Sequence, residues 1–332
     1  MTVFDLDRQR AYLSYCLRQL PGAYSKLDTS RMTLVHFAVQ SLDLMGVWDD
    51  VEQQQALRLN PSRIIDWIYS LQCEDGFQGG SFLSTGAQSH IAMTYTALCA
   101  LKTLGDDGER LHRDAILQHL QTLQLENGCF QAVSFGSEAD LRFLYCACVI
   151  CHLLDDWSCL NKEKATDYIR SCRSYDGAFA LLPHQEGHGG STFCAVASLV
   201  LMDTLEEGLT DDWKETLVEW CVMRQNGGLQ GRPNKDEDTC YSYWIGGTLR
   251  LLGQDHLLDH EALREFVGRC ESPMGGFSKM VGVYPDLLHS FYTVAYLSLS
   301  QDVVGDSLGL KTLNCTLGVA RDLDEEGDRY LP

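Results

Sequence analysis

The stretch SYDGAF, residues 174–179, sets a carboxylate and a glycine just ahead of a phenylalanine, and variants of the same phrase return along the whole chain. They read Cys73-Glu74-Asp75-Gly76-Phe77, Leu125-Glu126-Asn127-Gly128-Cys129-Phe130, Gln225-Asn226-Gly227-Gly228-Leu229 and Pro273-Met274-Gly275-Gly276-Phe277. The apolar anchors 77, 130, 179, 229 and 277 stand 53, 49, 50 and 48 residues apart, the mark of a repeat architecture. Glycine beside Asp or Asn suits a tight turn at a helix end, and the Phe or Leu that follows staples the turn to a core.

Working outward, each phrase is preceded by a one-sided apolar stripe at helical spacing. Examples are Trp213, Leu217, Trp220 and Cys221, and Leu263, Phe266, Val267 and Cys270. Each is followed by a loop and then by a segment almost without charge: 90–101, 142–154, 191–202, 240–252 and 289–300. A helix apolar on every side must be buried on every side. RMTLVHFAVQSLDLMG and PSRIIDWIYSLQ supply one further helix of each kind ahead of the first phrase. The expected fold is all-α, an α/α (six-six) barrel built from helical-hairpin repeats of about 50 residues. An open superhelical solenoid satisfies the same periodicity. One domain over 1–313 is expected, with 314–332 as a flexible tail because of its DLDEEGD run.

The net charge of −20, from 26 Lys plus Arg against 46 Asp plus Glu, argues against nucleic acid as a partner. The first twenty residues lack the pattern of a signal peptide, no apolar run reaches membrane-spanning length, and RYLP offers no prenylation box. A cytoplasmic protein is expected, with most of its fourteen cysteines serving as small buried apolar side chains.

Twelve or thirteen residues beyond the anchors stand His90, Arg142, Thr192, Tyr241 and His289, with His188 and Cys240 just upstream of two of them. All open a charge-poor helix. Parallel inner helices would bring them to one rim, where helix N-termini favour an anion. Below that rim Tyr95, Phe143, Tyr145, Phe193, Trp244, Phe291 and Tyr292 either line an apolar funnel or fill the barrel. In GRPNKDEDTCYSYW, residues 231–244, Asp238 and Cys240 can face one point, and His289 holds the equivalent rim position one repeat later. Together they would make a three-ligand zinc site with an open position. Arg232, Lys235, His188 and Tyr241 are donors suited to a diphosphate, and Asp236 and Glu237 read as surface charge.

At these residues the sequence closely resembles the β subunit of the protein prenyltransferases. The motifs that carry it are GRPNK-x-x-D-x-CYS-x-W, HGGSTFC at 188–194, SHIAMTYT at 89–96 and LRFLYCA at 141–147, collinear over nearly the whole chain. The resemblance implies a barrel paired with an α subunit, an enzyme that moves a prenyl group from its diphosphate to a cysteine near a protein's C-terminus. It implies Asp238, Cys240 and His289 as ligands of one Zn2+ per β subunit, and His188, Arg232, Lys235, Tyr241 and Lys279 as the diphosphate set. Thr33, Arg142, Tyr145, Cys194 and Trp244 fall in the isoprenoid pocket, and His90, Ala92, Phe143 and Leu288 where the peptide's last residues bind. Thr33 stands where farnesyltransferases carry a pocket-shortening tryptophan. Lys279 stands where they carry a magnesium-binding aspartate, so Mg2+ should not be required.

Both positions resemble the type I geranylgeranyltransferase branch, which uses geranylgeranyl diphosphate and proteins ending in CaaX with X mostly Leu, such as Rho-type small GTPases. The farnesyl and Rab-directed branches, a triterpene cyclase and a noncatalytic helical scaffold are the alternatives. Two departures from the family pattern are the acidic pair Asp236-Glu237 and a short loop after Gly80.

Overall fold

The computed structural model describes residues 4–81 and 88–320. Residues 82–87, within the loop after Gly80, lie outside the described residues, as does the tail from 321 onward.

The charge-poor segments form α2 (Arg31–Leu44), α4 (Ile91–Thr103), α6 (Leu141–Leu153), α8 (Gly189–Met202), α10 (Tyr241–Leu251) and α12 (Leu287–Val304). The amphipathic segments form α1 (Leu6–Arg18), α3 (Pro61–Tyr69), α5 (Arg113–Leu123), α7 (Lys162–Ser171), α9 (Asp211–Val222) and α11 (His260–Arg269). Each even-numbered helix packs on the next, and α12 packs back on α2, which closes the inner ring and removes the open-solenoid alternative. Short two-stranded pieces are the β structure among the described residues.

The repeated phrase welds the outer helices together. In SYDGAF, Phe179 is fully buried, and Gly177 takes φ 95° with a would-be Cβ 2.4 Å from Thr216 Cγ2 on α9. Any side chain there would collide with the neighbouring helix. Trp213 and Trp220 of α9 reach back to donate to the Gly177 carbonyl (2.6 Å) and the Asp176 carboxylate (2.8 Å). The anchors are further pinned from the inner ring: the Phe77, Phe179 and Phe277 amides donate to hydroxyls of Thr94, Thr192 and Ser290. Thr192, expected at the rim, is therefore a buried fastener of its own repeat. The last phrase closes the outer ring onto the first helix, with the Gly276 amide donating to Gln9 Oε1 at 2.7 Å and Gln9 Nε2 donating to Glu271 at 2.8 Å. No phrase joins α1 to α3, and a cavity of about 620 Å³ lies at that junction.

The fold continues past residue 313. Residues 313–320 form a hairpin, β1 (Leu313–Asn314) with β2 (Val319–Ala320), that enters the barrel from the end where the inner helices finish. The Lys311 amide donates to the Leu44 carbonyl at the end of α2. Deeper in, Tyr145 and Tyr243 donate their hydroxyls to the carbonyls of Thr316 (2.8 Å) and Cys315 (3.0 Å). Ahead of the acidic run, LNCTLGV buries Leu313, Cys315, Leu317 and Val319 as an apolar plug. Among the described residues no helix is long and apolar enough to cross a membrane.

Candidate metal centre at the barrel mouth

The inner helices start at one rim, and several are capped there by their own chemistry-bearing side chains. His90 Nδ1 accepts from the Ala92 amide (3.1 Å), Asp140 Oδ1 from Arg142 (2.9 Å), His188 Nδ1 from Gly190 (3.1 Å) and Asp286 Oδ1 from His289 (2.9 Å). Capping uses one acceptor of each side chain and fixes its direction. For His188 it also fixes the neutral tautomer: Nδ1 accepts, so Nε2 carries the hydrogen and points it at the Tyr241 oxygen, 2.9 Å away. Tyr241 is left with its own O–H to donate outward. Burial pushes His188 below the ordinary imidazole value, in keeping with that neutral form.

Asp238 and Cys240 sit on the loop entering α10. The Cys240 amide donates to Asp238 Oδ1 at 2.9 Å, which folds the two side chains to one side. Thr239 stitches the loop to its neighbour through its amide on the Lys279 carbonyl (3.0 Å) and its hydroxyl on that of Ser278 (2.9 Å). His289, in the first turn of α12, places Nε2 at 3.3 Å from Asp238 Oδ1. One ligand atom from each of Asp238, Cys240 and His289 lies within 4.8 Å of the others.

Burial alone would raise Asp238, but hydrogen bonds with His289 and Cys240 outweigh it and hold the carboxyl below its ordinary value. Burial and the Asp238 charge push the Cys240 thiol well up. Burial would lower His289, yet its bonds to Asp238 and Asp286 carry it up to about 9. A carboxylate, a thiol and an imidazole form a donor set that suits zinc, and a carboxylate behind the histidine is the usual outer support of such a ligand.

That support is Asp286, whose Oδ2 lies 2.6 Å from His289 Nδ1. Sequence reading missed it, although a carboxylate three residues before a histidine at a helix start is a readable signal. Also missed was Gly231, where a Cβ would stand 2.0 Å from the Tyr241 ring, so that only glycine lets the tyrosine lie across the loop.

Of the remaining residues, Lys279 Nζ lies 3.6 Å from Asp238 Oδ2, beside the cluster. Arg232 is held at 2.8 Å by Glu186, a carboxylate the sequence did not single out. Lys235 is exposed. Glu237 accepts from Asn226, away from the rim, and Asp236 is exposed, so Glu237 does not face the candidate site. Arg142 is gripped by Asp140 (2.7 Å) and Glu138 (3.4 Å) and stands over Phe143. His90 lies edge-on to Phe143, Ala92 is partly covered, and Leu288 is 37% exposed. Thr33 touches Met93 Sδ at 3.5 Å, and Cys194 is buried.

Below them the aromatic rings run as a closed circuit through all six inner helices. The pairs are His36–Tyr95, Tyr95–Tyr145, Tyr145–Phe193, Phe193–Trp244, Trp244–Tyr292 and Tyr292–Phe37, with centroids 4.2 to 5.8 Å apart. Phe193 and Phe291 fill the wall, whereas Tyr95, Trp244 and Tyr292 keep partial exposure.

The family described as "Prenyltransferase alpha-alpha toroid domain" matches residues 4–319. The chain belongs to the prenyltransferase α/α-toroid family. It is 39% identical to the geranylgeranyl transferase type-1 subunit beta of Arabidopsis thaliana, over 90% of this chain and 86% of that protein. The corresponding type-1 subunit beta of Dictyostelium discoideum is 36% identical, over 88% of this chain and 90% of that one. A solved structure, Candida albicans protein geranylgeranyltransferase-I complexed with GGPP, superposes with a TM-score of 0.85 at 22% identity over 96% of both chains, which shows a shared fold. The resemblance drawn from the motifs is borne out: this is a protein prenyltransferase β subunit, most like the type-1 geranylgeranyl transferase β subunits. The cyclase and scaffold alternatives fall away.

Proposed function

We propose that the chain is the catalytic β subunit of a heterodimeric, zinc-dependent protein geranylgeranyltransferase type I. It would pair with a prenyltransferase α subunit in the cytoplasm and join geranylgeranyl, through a thioether, to the cysteine of C-terminal CaaX motifs with X mostly Leu. The observation that carries the reading is the convergence of Asp238, Cys240 and His289, ligand atoms within 4.8 Å, beside the His188–Tyr241 pair. Asp238, Cys240 and His289 would hold one Zn2+, which when bound lowers the pKa of a coordinated substrate thiol so that it attacks as thiolate at neutral pH.

Asp286 keeps His289 Nδ1 engaged, so that Nε2 faces the site. Tyr241, its oxygen held by His188, donates its O–H to the diphosphate as negative charge grows on the leaving oxygen. Arg232, Lys235 and Lys279 add cationic charge around that leaving group, and Lys279 makes Mg2+ dispensable. The small Thr33 leaves room for a fourth isoprene unit along a wall that includes Arg142, Tyr145, Cys194 and Trp244. His90, Ala92, Phe143 and Leu288 meet the peptide. The catalytic domain takes in the hairpin through residue 320.

The test is to co-express the chain with an α subunit and compare geranylgeranyl with farnesyl transfer to CaaL and CaaM peptides, with and without magnesium. Geranylgeranyl transfer to CaaL without magnesium is expected. Preference for farnesyl, or strict dependence on magnesium, would overturn the type I reading, and Thr33→Trp should move the preference toward the shorter donor.

A further inference from the structure

None of the cysteines in the chain is bonded to another, and all but Cys73 are buried. One pair is within reach of a bond. Cys151, in the last turns of α6, and Cys159, in the segment leading to α7, hold their sulfurs 3.6 Å apart. Both lie at the end of the inner helix opposite Asp140 and the mouth.

Sequence spacing points elsewhere, since Cys148-Val149-Ile150-Cys151 has the CxxC form. Those two cysteines sit one turn apart on a single helix, which holds their Cβ atoms about 5–6 Å apart, beyond the roughly 3.5–4.5 Å a disulfide needs. Cys159 approaches Cys151 from a different element. The segment between the helices turns through Asp155 at φ 47° and brings Cys159 back over the end of α6. Either sulfur can donate its S–H to the other, and Cys159, 6% exposed against 0% for Cys151, is the more accessible of the two and so the attacking partner.

We propose that Cys151 and Cys159 are a peroxide-reactive dithiol that closes to a reversible disulfide, tying the end of α6 to the segment before α7. The Cys159 sulfur attacks one oxygen of hydrogen peroxide, the O–O bond breaks, and the departing hydroxide leaves as water with the Cys159 proton, giving a sulfenic acid. The Cys151 sulfur then attacks the Cys159 sulfur and expels hydroxide, which takes the Cys151 proton as a second water. Two electrons pass from the two thiols to one peroxide, and a small dithiol reverses the bond.

The test uses the purified full chain. After treatment with hydrogen peroxide and alkylation of remaining thiols in denaturant, a protease that cleaves before Asp155 and Asp156 separates the halves carrying Cys151 and Cys159. Mass spectrometry should find the two halves as one linked species that dithiothreitol parts, and Cys159→Ser should abolish it. Recovery of both cysteines alkylated and unlinked would overturn the proposal. So would a link to Cys146 or Cys148, or Cys159 trapped by dimedone with no link formed. Because the primary result is read on the unmodified sequence, it does not depend on the variant folding.

Discussion

The two ends of the barrel are made by the same six inner helices and solved differently. At the mouth the helix starts are capped by side chains that still have an atom to spare: Asp286 keeps Oδ2 for His289, and His188 keeps Nε2 for Tyr241. At the opposite end the chain's own hairpin, 313–320, enters and takes the Tyr145 and Tyr243 hydroxyls on its carbonyls. One end keeps polar atoms available at little folding cost, because capping a helix needs only half of each side chain. The other uses polar atoms up to hold the plug in place. Changes at the mouth should therefore alter chemistry with small loss of stability, and changes at the plug should do the reverse.

The sharpest break of that contrast comes at the metal cluster. Cys240→Ala and His289→Ala should each abolish the proposed zinc binding and lower transfer by on the order of 10³-fold or more, while the melting temperature of the metal-free forms stays near that of the metal-free parent. Metal analysis beside a transfer assay checks this, and normal zinc content in both variants would remove the proposed site. One step out, Asp286→Asn keeps an N-cap acceptor but loses the carboxylate behind His289. Zinc affinity should fall by roughly 10–100-fold, measured by competition with a chromogenic chelator, with folding intact.

Which of these features was legible in the sequence follows from where each is encoded. The repeat declared itself because every interval restates one phrase, and the phase of Cys240 and His289 within it brought two distant side chains to one rim. Closure did not show, because it depends on α12 meeting α2 and on Gly276 meeting Gln9, contacts between opposite ends of the chain. Asp286 was passed over since an aspartate before a helix reads as a cap, and here it is a cap and a support for His289 at once. Glu186 was invisible as the partner of Arg232 because a pairing 46 residues apart leaves no local trace. The hairpin was lost to composition: seven apolar-leaning residues were averaged with the acidic run behind them.

At the plug, Tyr145→Phe and Tyr243→Phe each leave a carbonyl of the hairpin without its donor, the Cys315 bond being buried and the Thr316 bond partly so. Each should cost about 1–2 kcal/mol in denaturant unfolding while zinc content is unchanged. The double variant tests whether the hairpin holds as a unit: a loss beyond the sum would mean that either tyrosine alone keeps the plug seated.

The smallest effect concerns His36, which sits in the aromatic circuit between the two ends. Burial among Phe37, Tyr95 and Phe291 pushes its imidazole down to about 3 from an ordinary 6.5, the Thr96 carbonyl opposing only weakly. A depressed histidine refuses a proton that the unfolded chain accepts, so between those two values the unfolded state binds more protons and stability falls as pH drops. The contribution is fully present above about pH 6.5 and shrinks below it, by about 1 kcal/mol on going from neutral pH to roughly pH 5.5. His90, His188 and His260 are lowered as well and act in the same direction, so the slope does not belong to His36 alone. His36→Phe isolates one part: it keeps a ring in the circuit and removes the titrating group. The variant should therefore lose less stability on acidification than the parent by about that amount, read from urea midpoints at the two pH values. An unchanged difference would mean that water or a shifted side chain reaches His36 and lets it take a proton while folded.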